Sequence, residues 1–145
     1  MKNISRQSIF IFSISLILGL TGCASIPTAR YHSHSFKPYN DTGVASFYGH
    51  GDGFNGKRMA NGEKFDANNP HLAAHPSLPL GTKLKVTNLK NDKVLYVEVT
   101  DRMGRIKGRI IDLSYGASKY FNMRGSGTVK VNIKSVTDSE FNNHI

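Results

Sequence analysis

The sequence predicts a mainly β fold in the form of a small closed β-barrel. Stretches of alternating apolar and polar residues recur between Gly43 and Val136, with glycine-rich turns between them, and this alternation is typical of strands with one buried face. Only residues 115–121 strongly favour a helix. Because a soluble β domain of this size must protect its edge strands, we expect the strands to close into a barrel.

The first 22 residues have the organisation of a secretory signal peptide. Lys2 and Arg6 precede an almost wholly apolar run, residues 9–20, which has the length of a signal-peptide core and is short for a membrane span. The sequence Leu-Thr-Gly-Cys then ends at Cys23 and is similar to the lipobox of bacterial lipoproteins. The resemblance implies cleavage before Cys23 and lipidation of that residue. A plain signal peptide with a chance cysteine is the alternative.

Charge and cysteine content indicate the compartment and the partners. Cys23 is the only cysteine, so no disulfide forms within the chain. In lipoprotein sorting signals a residue such as Ala24 favours the outer membrane, so we expect the protein on its periplasmic face. The formal charge is +9, and +7 remains without Lys2 and Arg6. This charge favours an anionic partner such as peptidoglycan, unless it only aids solubility. We expect no nucleic acid as partner, and the sequence indicates no particular protein partner.

Residues 23–42 are expected to be a flexible tether, because they contain Pro27 and Pro38 and lack apolar periodicity. The barrel domain is expected to span residues 43–136, and residues 137–145 to form a C-terminal tail. His32 and His34, in the tether, are interpreted as linker residues rather than metal ligands.

The elements of the predicted barrel follow in order, with a loop-rich segment at residues 50–81. The expected strands are residues 43–49, 82–89, 94–101, 108–114 and 127–136. Ser114 is a suitable N-cap for the helix over residues 115–121. Alternation places these side chains in the core: Val86, Val97, Val99, Ile111 and Val131, with Val129 as a further candidate.

Three polar residues are candidates for chemistry. Glu63 follows an Asn-Gly turn, His75 lies between stiffening prolines, and Asp101 ends a strand, where a rigid element can aim it. Each also has a structural explanation, as a solvated charge, a hydrogen-bonded histidine or a turn acid. Asp112 is interpreted as a structural acid near the helix start. The sequence contains no metal motif such as HExxH and no GxSxG, so we expect no metal, no cofactor and no serine nucleophile.

Five motifs together resemble the rare lipoprotein A family in order and spacing. They are "GVASFYG", "GKRMANGEKFDA", "LAAHPSLPLGTKLKVTNL", "VEVTDRMGRIKGRIIDLSYGAS" and "GTVKVNI". The resemblance implies a six-stranded double-psi β-barrel with one or two short helices, and peptidoglycan as the substrate. We expect the chain to lack the C-terminal SPOR domain that many members use at septal peptidoglycan. Phe47 stands where the family usually has tryptophan, and Arg102-Met103-Gly104 replaces Arg-Gly-Pro.

The resemblance also implies site residues. The family's acidic pair falls on Glu63 and Asp101, and its loop histidine on His75. Asp101 is the favoured acid and base, because a strand end holds it rigidly, and the reverse assignment to Glu63 stays open. We expect the two carboxyl groups to share one groove, within about 10 Å of each other. The expected substrate contacts are His75, Arg102 to a lactyl carboxylate, and the rings of Tyr48 and Phe65, with Phe47 as a further candidate. The alternative for each of these rings is a place in the core.

Two functions remain open from the sequence. The first is a lytic transglycosylase that cleaves β-1,4 glycosidic bonds of peptidoglycan and leaves a 1,6-anhydromuramyl end. The second is a peptidoglycan-binding envelope lipoprotein that does not turn over its ligand. A purely structural tether would leave the Asn-Gly-Glu and Asp-Arg sequences without a role.

Overall fold

The computed structural model describes residues 38–145, so the predicted signal peptide, Cys23, His32 and His34 lie outside the described residues. The described part contains six strands and two short helices. They are β1 (Asn40–Tyr48), β2 (Leu72–Ala74), β3 (Lys83–Asn88), β4 (Val94–Asp101), β5 (Arg109–Ser114), α1 (Tyr115–Tyr120), β6 (Val129–Ser135) and α2 (Asp138–Asn142). Neither helix is long and apolar enough to cross a membrane.

The six strands close into one barrel. Their order is β1-β5-β2-β4-β3-β6, and β6 pairs with β1 to complete the ring. The β1–β5 and β2–β4 pairs are parallel, whereas the other four pairs are antiparallel. The predicted six-stranded double-psi β-barrel is therefore confirmed, including the helix α1 with Ser114 as its N-cap.

Strand alternation fills the interior of the barrel. Every second residue of β3 is buried, which removes apolar side chains from water while the lysines between them stay on the outside. The predicted core is confirmed, because each of its members is fully buried: Val86, Val97, Val99, Ile111 and Val131. Val129 is half-buried and packs against this core.

Three features of the secondary structure differ from the prediction. Strand β2 was not predicted, because its three residues are too few to show alternation. Strand β1 begins at Asn40, inside the expected tether, where it pairs with β6. The expected tail contains α2, which is capped by Thr137 and buries Phe141 beside Tyr96 and Val136.

Residues 49–71, here called the covering loop, have a small apolar core of their own. Met59, Phe65 and Ala67 are buried there, and Tyr48 and Tyr115 pack against them. Gly49 adopts a positive φ of 93°, and a Cβ at this position would lie 2.6 Å from the Phe65 ring. Only glycine permits so close an approach. The covering loop is therefore packed against the barrel at the end of β1.

Candidate active site

Residues 56–65 form a short hairpin, here called the site hairpin. Its two arms are joined by backbone bonds from Met59 N to Glu63 O (2.8 Å) and from Phe65 N to Lys57 O (2.8 Å). At the turn, the Asn61 side chain accepts a hydrogen bond from Glu63 N (3.0 Å) and donates one to Glu63 Oε2 (2.9 Å). The Asn-Gly turn thus aims the exposed Glu63 carboxylate, because Asn61 bonds both the backbone and the side chain of that residue.

The tip of the site hairpin is bonded to the end of β4. Ala60 N donates to Asp101 Oδ1 (3.0 Å), and Asn61 N donates to Thr100 O (3.1 Å). These bonds bring Glu63 and Asp101 to the same end of the barrel, although they are far apart in the sequence.

The two oxygens of Asp101 have different surroundings. Oδ1 accepts hydrogen bonds from the backbone N–H groups of Ala60 (3.0 Å) and Arg102 (2.8 Å). Among residues 38–145, no backbone group donates a hydrogen bond to Oδ2, and the Tyr48 hydroxyl interacts with the same carboxyl group. The carboxyl group is therefore fixed by backbone donors through one oxygen.

His75 lies behind Asp101 as a buried residue. Its backbone N–H donates to Asp101 O (3.2 Å), and its Nδ1 accepts from the backbone N–H groups of Ser77 and Leu78 (3.2 and 2.9 Å). Burial, together with the positive charge of Arg102, lowers the pKa of His75 to about 4. A neutral ring that is only 2% exposed stabilises the loop behind the site, and this differs from the expected direct contact with substrate.

Arg102 is hydrogen-bonded to both His75 and Asp101. Its Nη1 donates to His75 O (3.2 Å), while the residue as a whole is exposed. The guanidinium group is therefore bonded to the loop behind Asp101 and remains accessible to an anionic substituent.

Two buried hydroxyl groups lie at this end of the barrel, those of Tyr48 and Thr100, and neither has a hydrogen-bond partner at close range within the described residues. The Tyr48 hydroxyl nevertheless interacts with the Asp101 carboxyl group, because burial, the negative charge of Asp101 and hydrogen bonding to it raise the pKa of the Tyr48 phenol well above its usual range. The phenol therefore remains a neutral donor beside that carboxyl group.

The aromatic residues at the site do not all have the expected position. Phe65 is 3% exposed and stacks on Tyr48 with ring centroids 4.3 Å apart. It belongs to the core of the covering loop rather than to a sugar-binding surface, which corrects the expected role. Phe47 also packs against the barrel core. Phe54 was not predicted, but it is 54% exposed and contacts Tyr48 edge to face. Phe54 could have been predicted to be exposed, because it lies in the glycine-rich loop sequence Gly-Phe-Asn-Gly.

Asp112 is structural, but its contacts are not those expected. It accepts a hydrogen bond from the Ser46 hydroxyl on the neighbouring strand β1 and lies 3.7 Å from Arg109 Nη1. The first turn of α1 contains no acidic residue, so Asp112 joins two strands instead of stabilising the helix start. Across residues 38–145, no three His, Cys, Asp or Glu side chains lie close enough together to hold a metal ion.

The barrel, with acidic residues at one end, can now be compared with known protein families. The sequence matches the family model described as lytic transglycolase over residues 40–133, which is well over half of the 145 residues. The chain therefore belongs to the lytic transglycolase family.

Curated relatives confirm the resemblance to rare lipoprotein A. A probable endolytic peptidoglycan transglycosylase RlpA from Nostoc sp. is 49% identical over 94 residues, which is 63% of this chain and 24% of that protein. An endolytic peptidoglycan transglycosylase RlpA from Rickettsia felis is 44% identical over 105 residues, which is 72% of this chain and 46% of that protein. The chain thus spans less than half of the length of these relatives.

Solved structures share the fold at lower sequence identity. The Streptomyces papain inhibitor has a TM-score of 0.55 and 23% identity, and the match covers 68% of this chain and 96% of the inhibitor. The expansin from Clavibacter michiganensis has a TM-score of 0.54 and 22% identity, covering 69% of this chain and 52% of the expansin. These similarities support the barrel fold alone.

Proposed function

We propose that the protein is a peptidoglycan lytic transglycosylase, a carbon–oxygen lyase that cleaves β-1,4 bonds in glycan strands. The observation that carries this proposal is the bonding of the site hairpin to the end of β4, through Ala60 N and Asp101 Oδ1. It joins the site hairpin, which carries Glu63, to the strand end that carries Asp101. The family match over residues 40–133 supports the same reaction.

In this mechanism Asp101 is the general acid and then the general base. Oδ2 donates a proton to the glycosidic oxygen as the bond between that oxygen and C1 breaks, and the electron pair of the bond stays on the leaving oxygen. The C6 hydroxyl of the same sugar then attacks C1 and transfers its proton to the Asp101 carboxylate. The product has a 1,6-anhydro ring, and Asp101 is protonated again. Support for the assignment comes from the two backbone donors that fix Oδ1.

Glu63 in this proposal stabilises the positive charge that develops on the sugar ring. Oxocarbenium-like transition states are stabilised by a nearby carboxylate, and the Asn61 side chain holds Glu63 Oε2 in a defined position. The exposed Phe54 and the neighbouring Tyr48 offer faces for sugar rings, and Arg102 offers a guanidinium group to a lactyl carboxylate.

The test is digestion of purified sacculi, with detection of 1,6-anhydromuramyl products. Asp101→Asn keeps the shape of the side chain and removes the proton donor, so we expect product formation to fall by at least about a hundredfold. Asp92→Asn is the matched control. Asp92 is exposed in the β3–β4 turn and has a φ of 57°, which asparagine tolerates, so this variant should keep full activity.

The outcomes separate the alternatives. Full activity of Asp101→Asn together with inactivity of Glu63→Gln would transfer the acid role to Glu63. A wild-type protein that sediments with sacculi and releases no anhydro product would instead support the peptidoglycan-binding lipoprotein.

We further propose that Cys23 is lipidated and anchors the protein in the bacterial envelope, on the periplasmic face of the outer membrane. The support is the apolar run at residues 9–20 and the Leu-Thr-Gly-Cys sequence that follows it. In cells, Cys23→Ser should move the protein from the membrane to the soluble fraction and abolish incorporation of an acyl label. Unchanged fractionation and labelling would contradict the anchor.

A further inference from the structure

A second groove lies away from the acidic site. It has a volume of about 680 Å³ and is formed by residues of β3, β4 and the helix α1, by Asn68, Pro70 and His71 of the covering loop, and by His144, which follows α2. Neither Asp101 nor Glu63 lines it. The proposed reaction therefore leaves this groove without a role.

The polar lining of the groove is basic. Lys85 and Lys119 line it together with two histidines, and no carboxylate is among its lining residues. Lys119 Nζ donates to Asn68 Oδ1 (3.0 Å) and lies 4.7 Å from the centroid of the Tyr115 ring. The ion pairs within residues 38–145 involve other side chains, so neither lysine is neutralised by a carboxylate of the described part of the chain.

The floor of the groove is aromatic and fixed. Tyr96 stacks on His144 with ring centroids 4.4 Å apart and an interplanar angle of 10°. His71 Nδ1 donates to Tyr96 O (2.7 Å), which assigns the proton to Nδ1 because a carbonyl oxygen only accepts. Among the described residues, no group hydrogen-bonds to His71 Nε2, so this atom is available as an acceptor. The groove thus offers two cations, an acceptor and flat apolar surfaces.

We propose that this groove binds a carboxylate-bearing part of peptidoglycan, either a muramyl lactyl group or a stem peptide, while the same polymer occupies the acidic site. This inference rests on the proposed function. The chemistry is complementary, because the lysines pair with carboxylates and the rings pack against sugars or small apolar side chains. Tyr96 and Asp101 are five residues apart on β4, a separation of about 17 Å. An extended peptide of about five residues covers this distance.

Lys85 and Lys119 attract carboxylates of the substrate at a distance from the reaction. Binding through the groove should weaken with rising salt, because the lysines are partly exposed.

The test measures binding by the full chain carrying Asp101→Asn, so that turnover does not consume the ligand. One protein also carries Lys85→Gln and Lys119→Gln. The matched control instead carries Lys90→Gln and Lys130→Gln, which remove the same charge from exposed positions outside the groove. The probes are soluble muropeptides with stem peptides, amidase-treated glycan strands that keep only lactyl carboxylates, and neutral chitotetraose. Thermal melting verifies that every variant is folded.

We expect the groove variant to bind a carboxylate-bearing probe about tenfold more weakly than the control, as the loss of two partly exposed ion pairs predicts. Chitotetraose should bind both proteins equally. Lys85→Arg with Lys119→Arg should retain binding, because the charge is kept. Loss of affinity for the amidase-treated strands alone indicates the lactyl carboxylate, which is bound in an amide in the muropeptides. Loss for the muropeptides alone indicates the stem peptide, and loss for both indicates that the groove accepts either carboxylate.

Other outcomes overturn the inference. Equal binding by the groove variant and the control would show that only net charge, or nothing in the groove, contributes. Anionic phospholipid vesicles serve as a further probe, and a difference seen only with them would assign the groove to a membrane surface. If the control and the groove variant bind peptidoglycan equally well, only the groove inference fails. If no protein binds peptidoglycan in any form, the proposed function fails with it.

Discussion

The barrel and the covering loop reach stability by different means. The barrel is held by six paired strands and one large apolar core. The covering loop is held by turns, side-chain hydrogen bonds and a core of three buried residues. The site requires both, since Asp101 ends a strand and Glu63 lies at the tip of the site hairpin.

Because of this difference, Asp101 and Glu63 are held with different rigidity. The end of strand β4 determines where Asp101 lies, and a displacement of Asp101 would disturb the strand pairing of the sheet. The site hairpin contacts the barrel through few bonds, among them those from Ala60 N and Asn61 N. Segments with few buried contacts open at lower free energy than the main core. We therefore expect the loop to be able to open without unfolding of the barrel.

The largest effect is expected from a charge in the barrel core. Val131 is fully buried, and Val131→Asp should abolish folding, because an unpaired buried charge costs several kcal/mol, comparable to the stability of a small domain. Circular dichroism during thermal melting checks this. Lys130→Asp, on the exposed face of the same strand, should melt cooperatively. A cooperatively folded Val131→Asp protein would contradict the register of β6.

A smaller and local effect is expected in the core of the covering loop. Phe65→Ala removes a buried ring and should cost about 3 kcal/mol. Amide exchange at Phe65 and Met59, whose N–H groups bond within the site hairpin, should accelerate by about a hundredfold, whereas amides of β3 and β6 stay protected. Phe54→Ala is the control, since Phe54 is exposed. Equal acceleration in loop and barrel would show that they unfold as one unit.

The smallest effect concerns His75, in the loop behind Asp101, and depends on pH. The pKa of His75 in the folded protein is about 4, below the usual histidine value of 6.5, because of burial and the charge of Arg102. The unfolded chain therefore binds the proton first as the pH falls. The contribution of neutral His75 to the free energy of unfolding is fully present above about pH 6.5. It decreases as the pH falls toward 4, and the loss at pH 5 is about 2 kcal/mol.

Urea unfolding at pH 7 and pH 5 measures this dependence. His75→Asn keeps an acceptor for the Ser77 and Leu78 amides but does not titrate, so its stability should change less between the two pH values. An equal change in wild type and variant would mean that other groups cause the pH dependence.

The sequence by itself determined the barrel. Alternation in residues 82–89 and 127–136 specified the buried face, because a strand has a period of two residues and one face must leave water. The same patterns identified Val131 and its neighbours as core, and Ser114 as the helix cap. The Asn61-Gly62 turn and the strand end at Asp101 were visible for the same reason, since their signals lie within a few adjacent residues.

Only the tertiary structure decided how these parts meet. Strand β2 is recognised by its partners β4 and β5, and the burial of Phe65, the partners of His75 and the contact of Asp112 with Ser46 depend on residues distant in the chain. The basic groove likewise combines Lys85 with Lys119 and His144. No local pattern specifies such contacts, because the free energy that selects them arises from packing between segments that are distant in the sequence.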